Sequence, residues 1–240
     1  HHFINSHSIH QQYDAAQYTT DALRVLNEIF QHHHTAILCG GSGLYIKALC
    51  EGFDDIPAID PAIRQSVTAH YAMHGLAWLH QQLHLHDPVY LALADVHNAQ
   101  RLMRALEVKL GTGQSILSYH HNSRRENNFD MIKIGLTLPR EQLYERIDAR
   151  MNKMIADGLF DEAATLYPFR AHNALQTVGY QEIFEFIDGQ HDRDEAVRLL
   201  KRNSRRYAKR QLTWFKRDAN MHWFSPDDVQ AIYTLCGVQA

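Results

Sequence analysis

The feature that most constrains the fold is a short apolar run that ends at a glycine-rich turn. Residues 35–39 have the length and composition of a strand, the tetrapeptide GGSG follows at 40–43, and residues 44–50 have a helical pattern. A strand, a glycine turn and a helix form the unit from which α/β phosphate and nucleotide sites are commonly built. We therefore predict an α/β fold with a strand at 35–39.

The turn itself is a candidate anion site. Gly40, Gly41 and Gly43 allow the backbone to turn tightly and to bring its N–H groups close to an anion, and the start of the next helix adds a favourable dipole. Ser42 would present a hydroxyl to a phosphate oxygen. An ordinary strand-to-helix connection explains the same residues, because short glycine motifs recur by chance.

The rest of the chain divides into a core and an insertion. Apolar spacing predicts helices at 14–30, 141–166 and 195–215, and alternation predicts a strand at 131–138. Proline-containing breaks near residue 57 precede a mostly helical stretch. We predict an α/β core of residues 1–56 and 129–240 that is interrupted by a helical insertion domain at 57–128.

Charge and cysteine content limit the possible functions. No run of eighteen apolar residues is present, so no transmembrane helix is expected, and three cysteines without a CxxC pair indicate a reducing cytoplasm. The formal net charge of -3 does not suggest a nucleic-acid binder, but residues 201–217 contain eight Lys or Arg and no Asp or Glu. Such a local cluster can hold phosphates, or it can be one solvated helix face.

Two groups of side chains on predicted helices could carry binding or chemistry. Gln100, Arg101 and Arg104 share one face of a predicted helix, which suits base-edge and phosphate contacts or a plain amphipathic helix. Arg146 and Arg150 stand one turn apart, and an Arg fork binds a diphosphate. A surface ion pair with Glu145 or Asp148 is the alternative for those arginines.

Aromatic residues interleave with the basic ones near the end of the chain. Tyr207, Trp214 and Phe215 could stack on unpaired bases beside Lys209 and Arg210, or they could be core residues. The eighteen histidines show no HExxH motif or other converging ligand set, so we expect no metal site built from them.

Together these segments resemble the tRNA dimethylallyltransferase family (isopentenyl-diphosphate:tRNA transferases). The resemblance runs from residue 1 to about 223, and its order and spacing are those of the family. It rests on these segments: HHFI at 1–4, YDAA at 13–16, LCGGSGLY at 38–45, QRLMRALEV at 100–108, LYERI at 143–147, QTVGY at 176–180 and AKRQLTW at 208–214. Ser42 stands where the family usually has Thr, and it retains the hydroxyl.

The resemblance implies a P-loop NTPase-like parallel-sheet core and transfer of a dimethylallyl group from its diphosphate to N6 of adenine 37 in tRNA. It implies Mg²⁺ as cofactor, the tRNA anticodon stem-loop and dimethylallyl diphosphate as partners, no membrane, and a monomer. Ser42 and Arg150 would be catalytic, and they would bind the diphosphate with Gly40 and Gly41. The residues implied to bind tRNA are Gly43, Gln100, Arg101, Arg104, Gln176, Thr177, Val178, Gly179, Tyr180, Lys209, Arg210, Gln211, Thr213 and Trp214.

The family also has a P-loop of GPTASGKT type and an Asp-Ser segment whose Asp is taken as the general base. Neither motif occurs in these 240 residues. We therefore expect this piece, lacking the N-terminal P-loop segment, to be inactive when tested alone. Two rival functions stay open: a P-loop kinase acting on a nucleotide or small molecule, and an inactive tRNA-binding remnant.

Overall fold

A computed structural model describes residues 1–11, 13–120 and 125–237. The chain forms two compact units, one of His1–Cys50 with Asn127–Ala240 and the other of Glu51–Glu126. In chain order the elements are α1 (Ala15–Phe30), α2 (Gly43–Glu51), α3 (Pro61–His86), α4 (Pro88–Leu93), α5 (Ala99–Thr112), β1 (Lys133–Leu136), α6 (Arg140–Ala156), α7 (Leu159–Leu166), α8 (Gln181–Ile187), α9 (Arg193–Phe215), β2 (Met221–Phe224) and α10 (Val229–Leu235). The second unit overlaps the insertion predicted at 57–128, whose limits remain a prediction.

Helix α1 begins at a capping box. The Asp14 carboxylate accepts hydrogen bonds from the backbone N–H groups of Ala16 and Gln17, and the Gln17 side chain accepts one from the Asp14 N–H. These bonds satisfy donors that the first turn of a helix otherwise leaves free. The prediction of a helix at 14–30 is therefore accurate to one residue.

The described residues contain one small parallel sheet, in which β1 pairs with β2 from Lys133↔Met221 to Leu136↔Phe224. The predicted strand at 131–138 is present but shorter. The predicted strand at 35–39 is wrong: those residues pair with no described strand, and the side chains of Ile37 and Leu38 are 92% and 46% exposed. An apolar run becomes a strand only where a neighbour completes its backbone hydrogen bonds.

The helix predicted at 141–166 is two helices, α6 and α7. Gly158 has a φ of 102°, in the left-handed region that glycine occupies without steric cost. Its N–H donates to the carbonyl of Ile155, which closes the end of α6. The apolar spacing continues across this break, so periodicity alone concealed it.

Each unit has its own apolar core. In the unit that contains the chain ends, the buried residues are Met151, Leu159, Phe160, Ala163, Leu175, Ile183, Phe184, Ala196 and Leu200. In the other unit they are Val67, Leu79, Leu83, Leu102, Met103, Ala105, Leu106, Val108 and Ile116. Among the described helices, none has the length and apolar character needed to cross a bilayer.

Candidate functional site

The glycine turn leads directly into α2. The carbonyl of Ser42 accepts the backbone N–H of Ile46 at 3.1 Å, so Ser42 occupies the capping position before the helix. Ser42 and Gly40 are exposed. The Ser42 hydroxyl therefore faces solvent at a helix N-terminus, where the partial positive charge of the dipole favours an anion.

The last part of α9 packs against this turn. Nε2 of Gln211 donates to the carbonyl of Gly41 at 2.8 Å, across 170 positions of sequence. A β-carbon at Gly43 would lie 2.7 Å from Cε2 of Trp214, and one at Gly41 would lie 3.2 Å from Cδ of Gln211 and overlap its Nε2. Glycine at 41 and 43 thus permits α9 to approach the turn closely. This contact joins the turn that we predict to bind diphosphate to part of the helix that we predict to bind tRNA.

We expect Gly43→Ala to destabilise the protein by about 1–3 kcal/mol, the usual cost of forcing extra atoms into a packed contact. The indole of Trp214 is rigid and must move to admit the methyl group. Gly40→Ala is the matched control, because no atom lies within 4 Å of a β-carbon at Gly40, and it should change stability by less than about 0.5 kcal/mol. Urea unfolding of both variants tests this, and equal midpoints would contradict the close packing at Gly43.

Three exposed basic residues in the second half of α9 form a stripe, which we define as Arg206, Lys209 and Arg210. They are three and four positions apart, so they share one face. Arg205 points elsewhere: its Nη1 contacts both carboxylate oxygens of Asp148 at 2.6 and 2.8 Å, linking α9 to α6. The basic cluster of the sequence is therefore divided between a packing contact and a solvent-facing stripe.

Aromatic side chains accompany the stripe. The Arg210 guanidinium lies 5.7 Å from the ring centroid of Tyr207, and both Tyr207 and Trp214 are partly exposed. Thr213 is also exposed, and its hydroxyl donates to the carbonyl of Lys209. Basic side chains can bind phosphates, and accessible rings beside them can stack on bases.

Arg150 lies on α6 with its side chain exposed. Because Asp148 is bound by Arg205, the alternative of an ion pair between Arg150 and Asp148 is not what the structure shows. Among the described residues, neither Arg146 nor Arg150 has an ion-pair or hydrogen-bond partner. The guanidinium of Arg150 is thus exposed to ligands, and among the described residues no hydrogen bond joins it to Ser42.

The segment 176–180 is held by two carboxylates. The Tyr180 hydroxyl donates to Glu162 at 2.6 Å, and burial followed by this hydrogen bond raises the pKa of Tyr180 to about 12. The N–H of Gly179, whose φ is 112°, donates to Glu182 at 2.8 Å. Gln176 and Thr177 are exposed, and Val178 is half-buried. The segment is therefore an ordered turn with a polar edge.

The other unit carries the remaining candidates on α5. Gln100 and Arg101 are exposed, while Leu102 and Leu106 are fully buried, as the amphipathic pattern predicts. Arg104 is half-buried, and its Nη1 lies 3.4 Å from the buried Glu107 carboxylate. Arg104 therefore has a structural partner within its own unit, whereas Gln100 and Arg101 face solvent.

Sequence reasoning missed a cleft of about 400 Å³ beside α1 and α2. Its aromatic lining comes from Phe3, Tyr13, Tyr18 and Tyr45. The Tyr13 hydroxyl donates to Asp21, and burial followed by this bond raises the pKa of Tyr13 to about 12. Tyr13 and Tyr45 occur in the segments of the resemblance, but nothing in their spacing indicated that their rings line one cleft.

The described part of the chain contains no group of three or more His, Cys, Asp or Glu side chains arranged to hold a metal ion. His10 and His172 do meet, with Nδ1 and Nε2 3.0 Å apart. Two ligands fall short of the three or four that a protein zinc site normally uses.

Comparison with known proteins gives consistent matches. The model of the IPP transferase family matches residues 1–218. The chain is 46% identical over 235 residues to a tRNA dimethylallyltransferase of Cytophaga hutchinsonii, covering 98% of this chain and 77% of that protein. It is also 46% identical over 228 residues to one of Christiangramia forsetii, covering 95% and 76%. The full-length tRNA isopentenylpyrophosphate transferase of Bacillus halodurans has a similar structure, with a TM-score of 0.68, 34% identity, and coverage of 99% of this chain and 77% of that one.

Proposed function

Because this chain belongs to the IPP transferase family, we propose that it serves a tRNA dimethylallyltransferase reaction, the prenylation of N6 of adenine 37 in the anticodon loop. The family match over residues 1–218 carries this conclusion. Relatives that are 46% identical bear the same activity in their names. The exposed basic stripe of α9 and its neighbouring rings support an RNA substrate over the small substrate of a kinase.

The reaction forms a bond between the adenine N6 nitrogen and the allylic carbon while the C–O bond to diphosphate breaks. The amine loses a proton, and the leaving diphosphate takes up the electron pair of the broken bond. Catalysis therefore needs a base for the amine and cationic or hydrogen-bonding groups for the diphosphate. We assign the second task to the Ser42 hydroxyl, the backbone of Gly40 and Gly41, and the exposed guanidinium of Arg150.

We propose Mg²⁺ as the cofactor, held chiefly by the diphosphate. Mg²⁺ commonly uses one or two protein oxygens together with substrate phosphates, and the exposed Ser42 hydroxyl is an oxygen donor of that kind. When bound, the ion would neutralise part of the diphosphate charge.

Side chains from several segments would bind the tRNA. The stripe of α9 suits phosphates, and Gln176 with the following turn suits neutral polar contacts. Gln100 and Arg101 offer a further polar face on α5. The small parallel sheet and its surrounding helices support the proposal of a P-loop NTPase-like core, and we propose a monomeric enzyme that works in the cytoplasm.

The native gene product should transfer label from dimethylallyl diphosphate to a tRNA transcript with adenine at position 37 when Mg²⁺ is present. A transcript with guanine there lacks the N6 amine and should stay unlabelled. Phosphate transfer from ATP to a small acceptor, without prenyl transfer, would instead identify a kinase. The 240 residues alone should bind the stem-loop without turnover, and robust turnover would refute their predicted inactivity.

A further inference from the structure

A buried carboxylate on α8 lies between two of the proposed tRNA-binding segments. Glu182, which carries it, is only 3% exposed. One of its oxygens accepts the backbone N–H of Gly179 at 2.8 Å, and the other accepts Nδ2 of Asn203 at 2.7 Å. Gly179 belongs to the turn at 176–180, and Asn203 lies on α9 one turn before the stripe.

The hydrogen-bond donors and acceptors of this network fit together in only one arrangement. Oδ1 of Asn203 accepts Nε of Arg202 at 3.2 Å, which leaves its amide N–H to point at Glu182. The Gly179 N–H can only donate. An ionised carboxylate has only acceptors, so Glu182 satisfies both donors at once. A side-chain amide at this position could not do so unless Asn203 rotated and released Arg202.

We propose that Glu182 is a positioning residue for tRNA: its carboxylate fixes the turn at 176–180 against α9. This inference rests on the proposed function of the two segments. A turn that is already ordered binds without losing conformational freedom at that moment, so the network lowers the entropic cost of association. The left-handed Gly179 is held by this bond, and the exposed Gln176 and Thr177 beside it would then face RNA in one arrangement.

A purely structural role would produce different measurements. Loss of general packing lowers the unfolding temperature but leaves the affinity of folded molecules unchanged. Loss of positioning lowers affinity while the protein remains folded, and it raises KM for tRNA more than it lowers kcat, because uniform binding energy is lost. No charge contacting phosphate is removed, so the salt dependence of binding should stay that of the wild type.

Glu182→Gln is the test, and Glu182→Gln with Asn203→Asp is its matched rescue. In the double variant the introduced amide would accept from Gly179 and donate to the introduced carboxylate, which would still accept from Arg202. We expect Glu182→Gln to weaken binding of an anticodon stem-loop by about tenfold, the scale of a lost buried hydrogen bond to a charged group. The double variant should return to within about threefold of wild type.

The measurements are stem-loop Kd at several salt concentrations on the 240-residue chain, and KM and kcat on the native gene product. Wild-type affinity in folded Glu182→Gln overturns the inference, and so does weakened binding that the double variant fails to restore. If Glu182→Gln does not fold, Asn203→Ala decides, because it removes only one of the two bonds to the carboxylate. Weaker stem-loop binding by folded Asn203→Ala supports the inference, and wild-type affinity overturns it. Absence of stem-loop binding by the wild type would refute the proposed RNA function itself.

Discussion

Arg150→Ala should reduce the single-turnover rate of prenyl transfer by about a hundredfold or more, the scale seen when one oxyanion-stabilising donor is removed. Charge builds on the departing oxygens as the C–O bond breaks. A guanidinium that neutralises this charge acts more strongly in the transition state than in the bound substrate, and such interactions act mainly on kcat. Affinity for the tRNA should hardly change.

The surroundings of Arg150 in the structure support this assignment. Its neighbour Asp148 is bound by Arg205, and Arg150 is exposed without an ion pair among the described residues. Truncating an exposed cation of this kind should change the stability of the protein little. A lower transfer rate would therefore reflect a loss of catalysis and not a loss of folded protein. Arg150→Lys should recover only part of the rate, because an ammonium lacks the planar fork that binds two oxygens.

Lys153→Ala is the matched control on the same helix. Lys153 is exposed, and its ammonium lies 2.8 Å from the Asp157 carboxylate in an i,i+4 pair. Its removal takes away an equal charge on the next turn after Arg150 and should leave the transfer rate within about twofold, since exposed pairs of this kind contribute little. The assay uses the folded native gene product at saturating substrates. A near-normal rate for Arg150→Ala would exclude Arg150 from the site.

Charge reversal of the stripe should have the second largest effect. Lys209→Glu with Arg210→Glu should weaken anticodon stem-loop binding by about a hundredfold at low salt, because two attractive contacts are replaced by two repulsive ones. The slope of log K against log salt should become shallower by about 2, since two fewer phosphates are neutralised. Filter binding or anisotropy across a salt series measures both quantities.

The control for this experiment is Arg24→Glu with Lys153→Glu, which changes the net charge equally. Both residues lie in exposed ion pairs, Arg24 with Glu28 at 2.9 Å on α1 and Lys153 with Asp157 at 2.8 Å on α6, so neither lies on the helix that carries the stripe. Their reversal should shift affinity only slightly and leave the slope unchanged. Equal effects of the two double variants would mean that net charge alone, and not the stripe, governs binding.

Local signals in the sequence predict local structure well. The apolar spacing at 14–30 predicts α1 to within one residue, and the burial of Leu102 and Leu106 follows from their spacing. The strand at 35–39 fails because strand formation depends on a partner that periodicity does not reveal. Gly158 ends α6 within an unbroken apolar pattern, since one left-handed residue interrupts a helix without changing which face is buried.

The site could be predicted only as separate pieces. Ser42 and the stripe could be named because hydroxyl, glycine and basic residues have recognisable chemistry. The bond from Gln211 to Gly41 could not be inferred, because nothing local indicates a contact across 170 positions. Glu182 gave no signal either: a carboxylate in a short helix is usually solvated, and only the packed structure shows its two donors.

The contact between α9 and the glycine turn also sets an order of events during synthesis. Gly41 is made early, whereas Gln211 and Trp214 are made 170 or more residues later. In a growing chain the turn therefore lacks its contacts with α9 until that helix has left the ribosome. Bringing together residues so far apart in sequence is slow compared with forming helices. The diphosphate site that we propose at this turn would therefore be complete only after α9 has packed against it.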